Sequence, residues 1–177
     1  HLRDAMARIY ETTSSHWLRD PWQARNQYVE LVFNRSEENV NRFLDQTTIR
    51  ALNDEEKVKV LRLLEMQRHA MLMFTSCGWF FDDVSGLEAT QILKYAARAI
   101  QLAEHFTDEP LEADFLDILR EAPSNNPEFK NAAQVYEKWI RPGVLNLNRV
   151  GAHYAVSLLF EDFPREAKIF CFTVTQR

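Results

Sequence analysis

The sequence predicts an all-α fold, a multi-helix bundle of about eight helices that ends in one β-strand without an evident partner. Two observations favour this fold. The chain has only 4 Gly and 6 Pro in 177 residues, and a shortage of turn residues is typical of long helices rather than many short strands. Several segments also repeat apolar residues at helical spacing behind residues that commonly start helices. A chain of this length can bury a core without disulfides.

The first third of the chain contains three predicted helices. Apolar residues recur on one stripe over residues 2–18. Asp20 followed by Pro21 places an N-cap acid before a proline at the first helical position, which predicts a helix over 21–33. Ser36 is a further N-cap residue, and two glutamates follow it at the positive end of the helix that it would start.

The two longest predicted helices lie in the middle of the chain, over residues 54–74 and 86–106. Asn53 and Ser85 precede them, and each is followed three residues later by a glutamate. This spacing is the capping-box pattern. The first helix is apolar over most of its girth, which is typical of a central helix. The second is rich in alanine, which permits close helix packing.

Three shorter helices are predicted after these two, over residues 111–122, 131–140 and 145–160. The first pair is separated by the turn PSNNP, and Pro142 ends the second helix. With these segments the helical part of the chain extends to about residue 165.

The last segment has a different pattern. Residues 167–175 read AKIFCFTVT, an alternation of β-branched and aromatic residues that predicts a strand. Folded proteins avoid an unpaired apolar strand, so we expect the sequence to continue beyond Arg177 into a sheet. The predicted domains are therefore a helical domain over 1–165 and the start of a truncated β region over 166–177.

Composition argues against several classes of partner. The net charge is −5 and the pI is near 5.6, whereas nucleic-acid-binding domains usually carry a basic stripe. No apolar run approaches the roughly 18–20 residues that a membrane span needs, and no signal peptide is evident. Cys77 and Cys171 lie far apart and form no metal-type pair. They could form one disulfide, but a reducing cytoplasm is the simpler interpretation. The first residue is His1, so either the native start is disordered or tag-derived or the chain is a fragment, and we expect a fragment of a longer protein.

The interruption between the two longest helices is the segment most indicative of function. Three consecutive aromatic residues are followed there by two acids in the sequence TSCGWFFDD. Aromatic rings stack on the apolar face of a sugar and carboxylates accept hydrogen bonds from its hydroxyls. Alternatively, the rings close the end of the bundle and an aspartate caps the next helix. The candidate substrate-binding residues are Trp79, Phe80, Phe81, Asp82 and Asp83, and the supporting loop residues are Ser76, Cys77 and Gly78.

Other patterns for chemistry are incomplete. Glu65 and His69 lie four residues apart on one helix face, whereas di-metal bundles use Glu-x-x-His, supplied twice. The adjacent acids Asp82 and Asp83 are expected to point apart rather than to share a catalytic proton. The sequence contains no glycine-rich phosphate loop, no nucleophile elbow and no His-Glu-x-x-His motif. We therefore predict no catalytic residue, no metal ligand and no cofactor in this chain.

The stretch LLEMQRHAMLMFTSCGWFFDDVSGLEATQILKYAARAIQLAE, residues 63–104, carries a family resemblance. It resembles the core of an uncharacterised helical domain that follows the catalytic barrel in a bacterial subgroup of proteins related to family-57 glycoside hydrolases. The flanking segments RDPWQARNQYVELVFNRS, APSNNPE, YEKWIRP and RVGAHYAVSLLF are similar too, so the resemblance covers nearly the whole chain.

The resemblance implies a context for the aromatic segment. In family-57 enzymes a distorted (β/α)7 barrel carries both catalytic carboxylates, and a helical region after the barrel closes one side of the cleft. By that comparison, the rings at positions 79–81 would line a glucan subsite and Asp82 or Asp83 would contact hydroxyls. The barrel, which would precede His1, is then the expected partner of this chain within one polypeptide. An oligo- or polysaccharide is the expected ligand.

Three hypotheses follow for the function. In the first, the chain is a helical accessory domain, inactive alone, that forms one wall of a saccharide cleft. In the second, it is a structural or interdomain interaction module without sugar contact, and the aromatic segment packs against another domain or chain. The third, a self-contained metal-dependent helical enzyme, requires a stoichiometric bound metal.

Overall fold

The computed structural model describes residues 1–169 and 172–176. This part of the chain is mostly helical and ends in a small antiparallel sheet, so the predicted fold class is confirmed. The elements are α1 (Leu2–Ser14), α2 (Pro21–Gln27), α3 (Val29–Phe33), α4 (Glu37–Thr47), α5 (Asp54–Leu72), α6 (Leu87–Ala103), α7 (Leu111–Arg120), α8 (Ala132–Val135), α9 (Leu147–Ser157), β1 (Glu166–Ile169) and β2 (Phe172–Thr175).

Local sequence determines most of the helix starts. The side chain of Asp20 accepts a hydrogen bond from the Gln23 amide at 2.9 Å, as expected for the N-cap of α2. Asn53 and Glu56 form the predicted capping box at the start of α5. Ser36 caps α4. Each cap provides an acceptor for an amide that has no partner within the helix.

Two predicted helices are interrupted in the structure. The segment predicted as one helix over 21–33 forms α2 and α3, which separate at Tyr28. The segment over 131–140 forms the short helix α8 and then a π-helical turn over Tyr136–Ile140. Helical periodicity alone does not locate such breaks, because the apolar stripe continues through them.

The predicted capping box at the start of α6 is wrong. Gly86 is the N-cap residue, and no side chain caps this helix. The Ser85 hydroxyl donates instead to the carboxylate of Asp83. Ser85 therefore belongs to the loop before the helix rather than to the helix start.

The chain divides into two compact units, His1–Pro142 and Gly143–Arg177. In the first unit α5 is central and packs against α6, α1 and α2. The small residues Ala96, Ala99 and Ala103 of α6 are buried, which allows close approach between helices. Val60, Leu63 and Leu64 of α5 are wholly buried in the same core, and Ala70 near its C-terminal end is buried as well, so α5 provides a rigid support for the segment that follows.

The second unit contains α9 and the terminal sheet. Val150 and Tyr154 of α9 form a small core with Ala167 and Ile169 of β1. The sheet is antiparallel, with Glu166 opposite Thr175 and Ile169 opposite Phe172 in the register.

The sheet corrects the expectation of one unpaired strand over 167–175. β1 and β2 pair with each other, so each strand finds backbone partners within the segment. Alternation of apolar residues does not distinguish one long strand from two short ones. Residues 170 and 171, which separate them in the sequence, lie outside the described residues, so nothing tests the prediction made for Cys171. The predicted domain boundary after residue 165 stays a prediction.

Candidate functional site

The aromatic loop, residues 75–83, follows α5 and leads towards α6. Its first half is a 3-10 turn over Ser76–Trp79. The Gly78 amide donates to the Thr75 carbonyl at 3.1 Å, and the Phe80 amide donates to the Cys77 carbonyl at 3.4 Å. These bonds give the loop a defined backbone although it lies outside the long helices.

Gly78 is required by close packing rather than by an unusual backbone angle. A Cβ atom at this position would lie 1.9 Å from Cγ1 and 2.5 Å from Cδ1 of Ile92 on α6. It would also lie 3.3 Å from the carbonyl oxygen of Glu88. Gly78 is one of the predicted supporting residues of the loop. The structure gives the reason for a glycine here, because only glycine lets the 3-10 turn lie this close to α6.

Ser76 and Cys77 lie on the exposed side of the same turn. The Cys77 thiol is free and exposed. Their backbone contributes to the 3-10 turn, whereas their side chains reach solvent. Both residues thus lie in the 3-10 turn that precedes the aromatic segment, and their supporting role stays a prediction.

The Trp79 ring is held in place yet accessible. It stacks on the ring of Phe74, with centroids 6.0 Å apart and planes inclined by 10°. Its indole Nε1 donates to the Met73 carbonyl at 2.9 Å. The residue is nevertheless 67% exposed. One face of the indole is therefore oriented by Phe74, while much of its surface remains available for contact.

Phe80 and Phe81 are also directed outward, at 81% and 57% exposure. Their rings meet edge to face, with centroids 5.2 Å apart. In the part of the chain that the structure describes, none of the three consecutive rings is enclosed by the helices. The interpretation that they close the end of the bundle does not fit this exposure.

The two aspartates of the loop differ in their surroundings. The Asp83 carboxylate accepts hydrogen bonds from the Ser85 amide at 2.8 Å and from the Ser85 hydroxyl. It also accepts from the Ser124 hydroxyl at 3.2 Å and from the Asn125 amide. The Ser85 hydroxyl and the two backbone amides lower the pKa of Asp83 to about 2. The carboxylate of Asp83 thus joins two loops of the chain.

Asp82 is exposed. Its backbone carbonyl accepts a hydrogen bond from the Asn125 side chain at 3.1 Å. Among the described residues, its carboxylate has no hydrogen-bond or ion-pair partner. Asp82 therefore retains the acceptor capacity that Asp83 uses within the chain.

The turn over 124–126 contacts this site although no sequence pattern predicted it. Ser124 and Asn125 contact Asp83 from more than forty residues away, and Asn126 donates to the Ser85 hydroxyl at 3.3 Å. The signal available was the polar PSNNP turn itself, which indicates a loop. Nothing in its local pattern indicates which other loop it contacts.

The second group of interest, the Glu65 cluster, consists of Tyr28, Arg35, Glu65, Arg68 and His69. Tyr28 donates to Glu65 at 2.9 Å, and Arg68 donates to it through Nη2 at 2.6 Å. Arg35 contacts the same carboxylate at 3.2 Å, and His69 Nε2 lies 3.5 Å from it. The predicted Glu65–His69 pair is therefore one part of a larger ion-pair network.

The Glu65 cluster stabilises a charged carboxylate in a largely buried place. Burial alone would raise the pKa of Glu65, but hydrogen bonds from His69, Arg68 and Tyr28 hold it well below its usual range. The Nδ1 atom of His69 is buried without a hydrogen-bond partner. Across residues 1–169 and 172–176, no group of three or more His, Cys, Asp or Glu side chains is arranged to hold a metal ion. The arrangement is that of an ion-pair cluster between helices.

No helix among the described residues is long and apolar enough to cross a membrane.

Comparison with known proteins places the chain in one family. No curated protein and no solved structure matches the chain. One family model matches residues 1–177 in full. The chain therefore belongs to the family described as Domain of unknown function (DUF3536).

Proposed function

We propose that this chain is a helical accessory domain of a carbohydrate-active enzyme related to family-57 glycoside hydrolases, and that its aromatic loop forms one wall of a saccharide cleft. The observation that carries the proposal is the exposure of three consecutive rings on a loop whose backbone is fixed by the chain itself. Folded proteins seldom expose adjacent large apolar side chains unless these contact something else.

The chemistry of the loop fits a neutral saccharide. The exposed indole of Trp79, oriented by its stack on Phe74, provides a flat apolar surface of the kind on which a pyranose ring packs. The Asp82 carboxylate lies within three residues along the chain and accepts hydrogen bonds only, which suits sugar hydroxyls. Asp83 contributes indirectly, because its carboxylate is used by Ser85, Ser124 and Asn125.

In this proposal the reaction itself belongs to another domain. A catalytic barrel of the same polypeptide would supply both carboxylates, and this chain would contribute substrate contacts but no catalytic residue. We place the protein in the cytoplasm, where a free and exposed thiol such as Cys77 would remain reduced.

The test is a titration of the chain with maltoheptaose, followed by the amide and indole signals of the ¹⁵N-labelled protein. We expect the signals of residues 78–82 to shift and Trp79→Ala to abolish the shifts. The matched control is Phe33→Ala, because Phe33 is an 85% exposed aromatic residue on α3, far from the loop in sequence. A wild-type titration without shifts in the loop would refute the saccharide contact.

A second candidate function is docking to another domain without sugar contact. It is favoured by the exposed rings of Phe80 and Phe81, which contact each other, since contiguous exposed apolar residues commonly mark protein interfaces. Leu87 at the start of α6 is exposed as well. In this case Phe80→Ala would weaken association with the catalytic barrel supplied as a separate protein. Maltoheptaose would then leave the loop signals unchanged.

A further inference from the structure

We infer that Asn125 is a specificity-determining residue of the same surface and that Asp83 is the positioning residue that holds it beside Asp82. The inference rests on the proposed function and extends it to a second loop. It also adds a physical reason why this surface should prefer neutral saccharides to acidic ones.

The contact between the two loops is direct. The Asn125 side-chain amide donates to the backbone carbonyl of Asp82 at 3.1 Å, and both residues are exposed. This bond holds the side-chain amide against the backbone of Asp82, the residue that carries the unpaired carboxylate. Only the tertiary fold brings them together, because the residues lie 43 positions apart.

The hydrogen-bond acceptor positions of the Asp83 carboxylate are all used within the chain. Its two oxygens accept from four donors, which are the amide and hydroxyl of Ser85, the hydroxyl of Ser124 and the amide of Asn125. A carboxylate offers about four acceptor positions, so Asp83 has no capacity left for a ligand. One of these donors is the backbone amide of Asn125. Asp83 therefore fixes the backbone position from which the Asn125 side chain extends.

The remaining groups of Asn125 and Asp82 complement each other. A primary amide has two N–H donors and a carbonyl acceptor, and only one of those donors is used in the described structure. The second N–H of an amide held on the Asp82 backbone, together with the unpaired carboxylate of the same residue, provides one donor and one acceptor on adjoining groups. Two adjacent sugar hydroxyls match this pair, whereas a uronic acid would bring its carboxylate towards Asp82 and be repelled.

The test is the affinity of the full 177-residue chain for maltoheptaose in the variants Asn125→Ala and Asp83→Asn. We expect Asn125→Ala to weaken binding about tenfold, the loss of one hydrogen bond to a ligand. The signals of Gly78 and Trp79 in the free protein should stay at their wild-type positions. Asp83→Asn should weaken binding and also move those free-protein signals, as expected of a positioning residue. The matched control is Asn26→Ala, an exposed asparagine on α2, which should bind as wild type.

The outcomes separate this inference from the proposed function. Wild-type affinity in Asn125→Ala, together with lost binding in Trp79→Ala, would overturn the role of Asn125 and leave the saccharide surface standing. Equal affinity of the wild type for maltoheptaose and for a galacturonic acid oligomer would overturn the preference for neutral sugars. Unchanged binding in Trp79→Ala would refute the proposed function, and the role of Asn125 with it. If Asn125→Ala does not fold, Asn125→Ser replaces it, since serine keeps a short polar side chain without the amide.

Discussion

The aromatic loop and the Glu65 cluster are connected by helix α5 and differ in which side chains they bury. In the Glu65 cluster, polar groups are largely buried and bind one another. The Glu65 carboxylate accepts hydrogen bonds from Tyr28, Arg35 and Arg68. In the aromatic loop, apolar rings lie outside and the chain provides no cover for most of their surface. The first region buries charge that is paired within the chain, whereas the second leaves apolar area exposed.

The difference teaches that residue type alone does not indicate a binding site. Glu65 with His69 has the composition of a metal or acid-base pair, yet its bonds are used between helices. Phe80 and Phe81 have the composition of a core, yet they are exposed. Burial and hydrogen-bond partners distinguish the two regions. Mutations in the two regions should therefore differ in how much they lower the free energy of unfolding.

The largest effect is expected for Glu65→Ala. It leaves Tyr28, Arg68 and His69 without their common acceptor, and unpaired groups in a buried cluster cost about 3 kcal/mol of unfolding free energy. Urea denaturation measures this change. The matched control is Glu55→Ala, since Glu55 on the same helix is exposed and pairs with Lys59 one turn on; it should cost no more than about 0.5 kcal/mol. Equal costs for both variants would show that the cluster adds no stability.

Gly78→Ala should have the next largest effect. Its new Cβ atom would overlap Ile92, whose Cγ1 lies only 1.9 Å from that position, and overpacking of this kind costs about 2 kcal/mol. Thermal unfolding measures the loss, and the Trp79 indole signal should move with the loop. Gly151→Ala is the control, because nothing lies within 4 Å of a Cβ there. The double variant Gly78→Ala with Ile92→Ala should cost less than the sum of the two single changes.

Lowering the pH should remove the stabilisation from the Glu65 cluster gradually rather than all at once, as a mutation does. The pKa of Glu65 is depressed in the folded protein, so the unfolded chain, with a glutamate pKa of about 4.3, takes up a proton first. The stabilisation is fully present above that value and is lost as the pH falls through the folded pKa. Urea midpoints between pH 6 and pH 3 should decrease more steeply in the wild type than in Glu65→Gln. Parallel pH profiles would contradict the assignment.

The helix starts show how much of the fold was predictable from local sequence. Asp20, Ser36 and Asn53 cap α2, α4 and α5 as expected, because each cap satisfies amides only two or three residues away. The exposed segment with Trp79 was predictable in the same way, as a break between two periodic stretches.

The remaining features depend on contacts distant in sequence. The bond from Ser124 to Asp83 joins loops 41 residues apart, and no local pattern predicts it. The need for glycine at position 78 arises from Ile92 on the next helix. The terminal segment alternates as one strand would, yet its two halves pair with each other, because backbone pairing rather than periodicity decides where a strand ends.

The smallest stability effect is expected for Trp79→Ala. A buried tryptophan costs about 3–5 kcal/mol when truncated to alanine, but this ring is mostly exposed and loses only its stack on Phe74 and one hydrogen bond to Met73. We expect a decrease of about 1 kcal/mol or less in unfolding free energy, measured by urea denaturation, with maltoheptaose binding abolished. A decrease of several kcal/mol would place the ring in the core and contradict the comparison.

The most direct measurement is the solvent exposure of the rings in solution, obtained from the relaxation that a soluble paramagnetic probe induces in aromatic protons. Phe33, an exposed ring, and Phe43, a buried one, provide the two reference values within the same chain. We predict that Phe80 and Trp79 relax as strongly as Phe33, while the Gly78 amide, bonded to Thr75, exchanges slowly. Rings as protected as Phe43 would contradict the proposal that the aromatic loop is a binding surface.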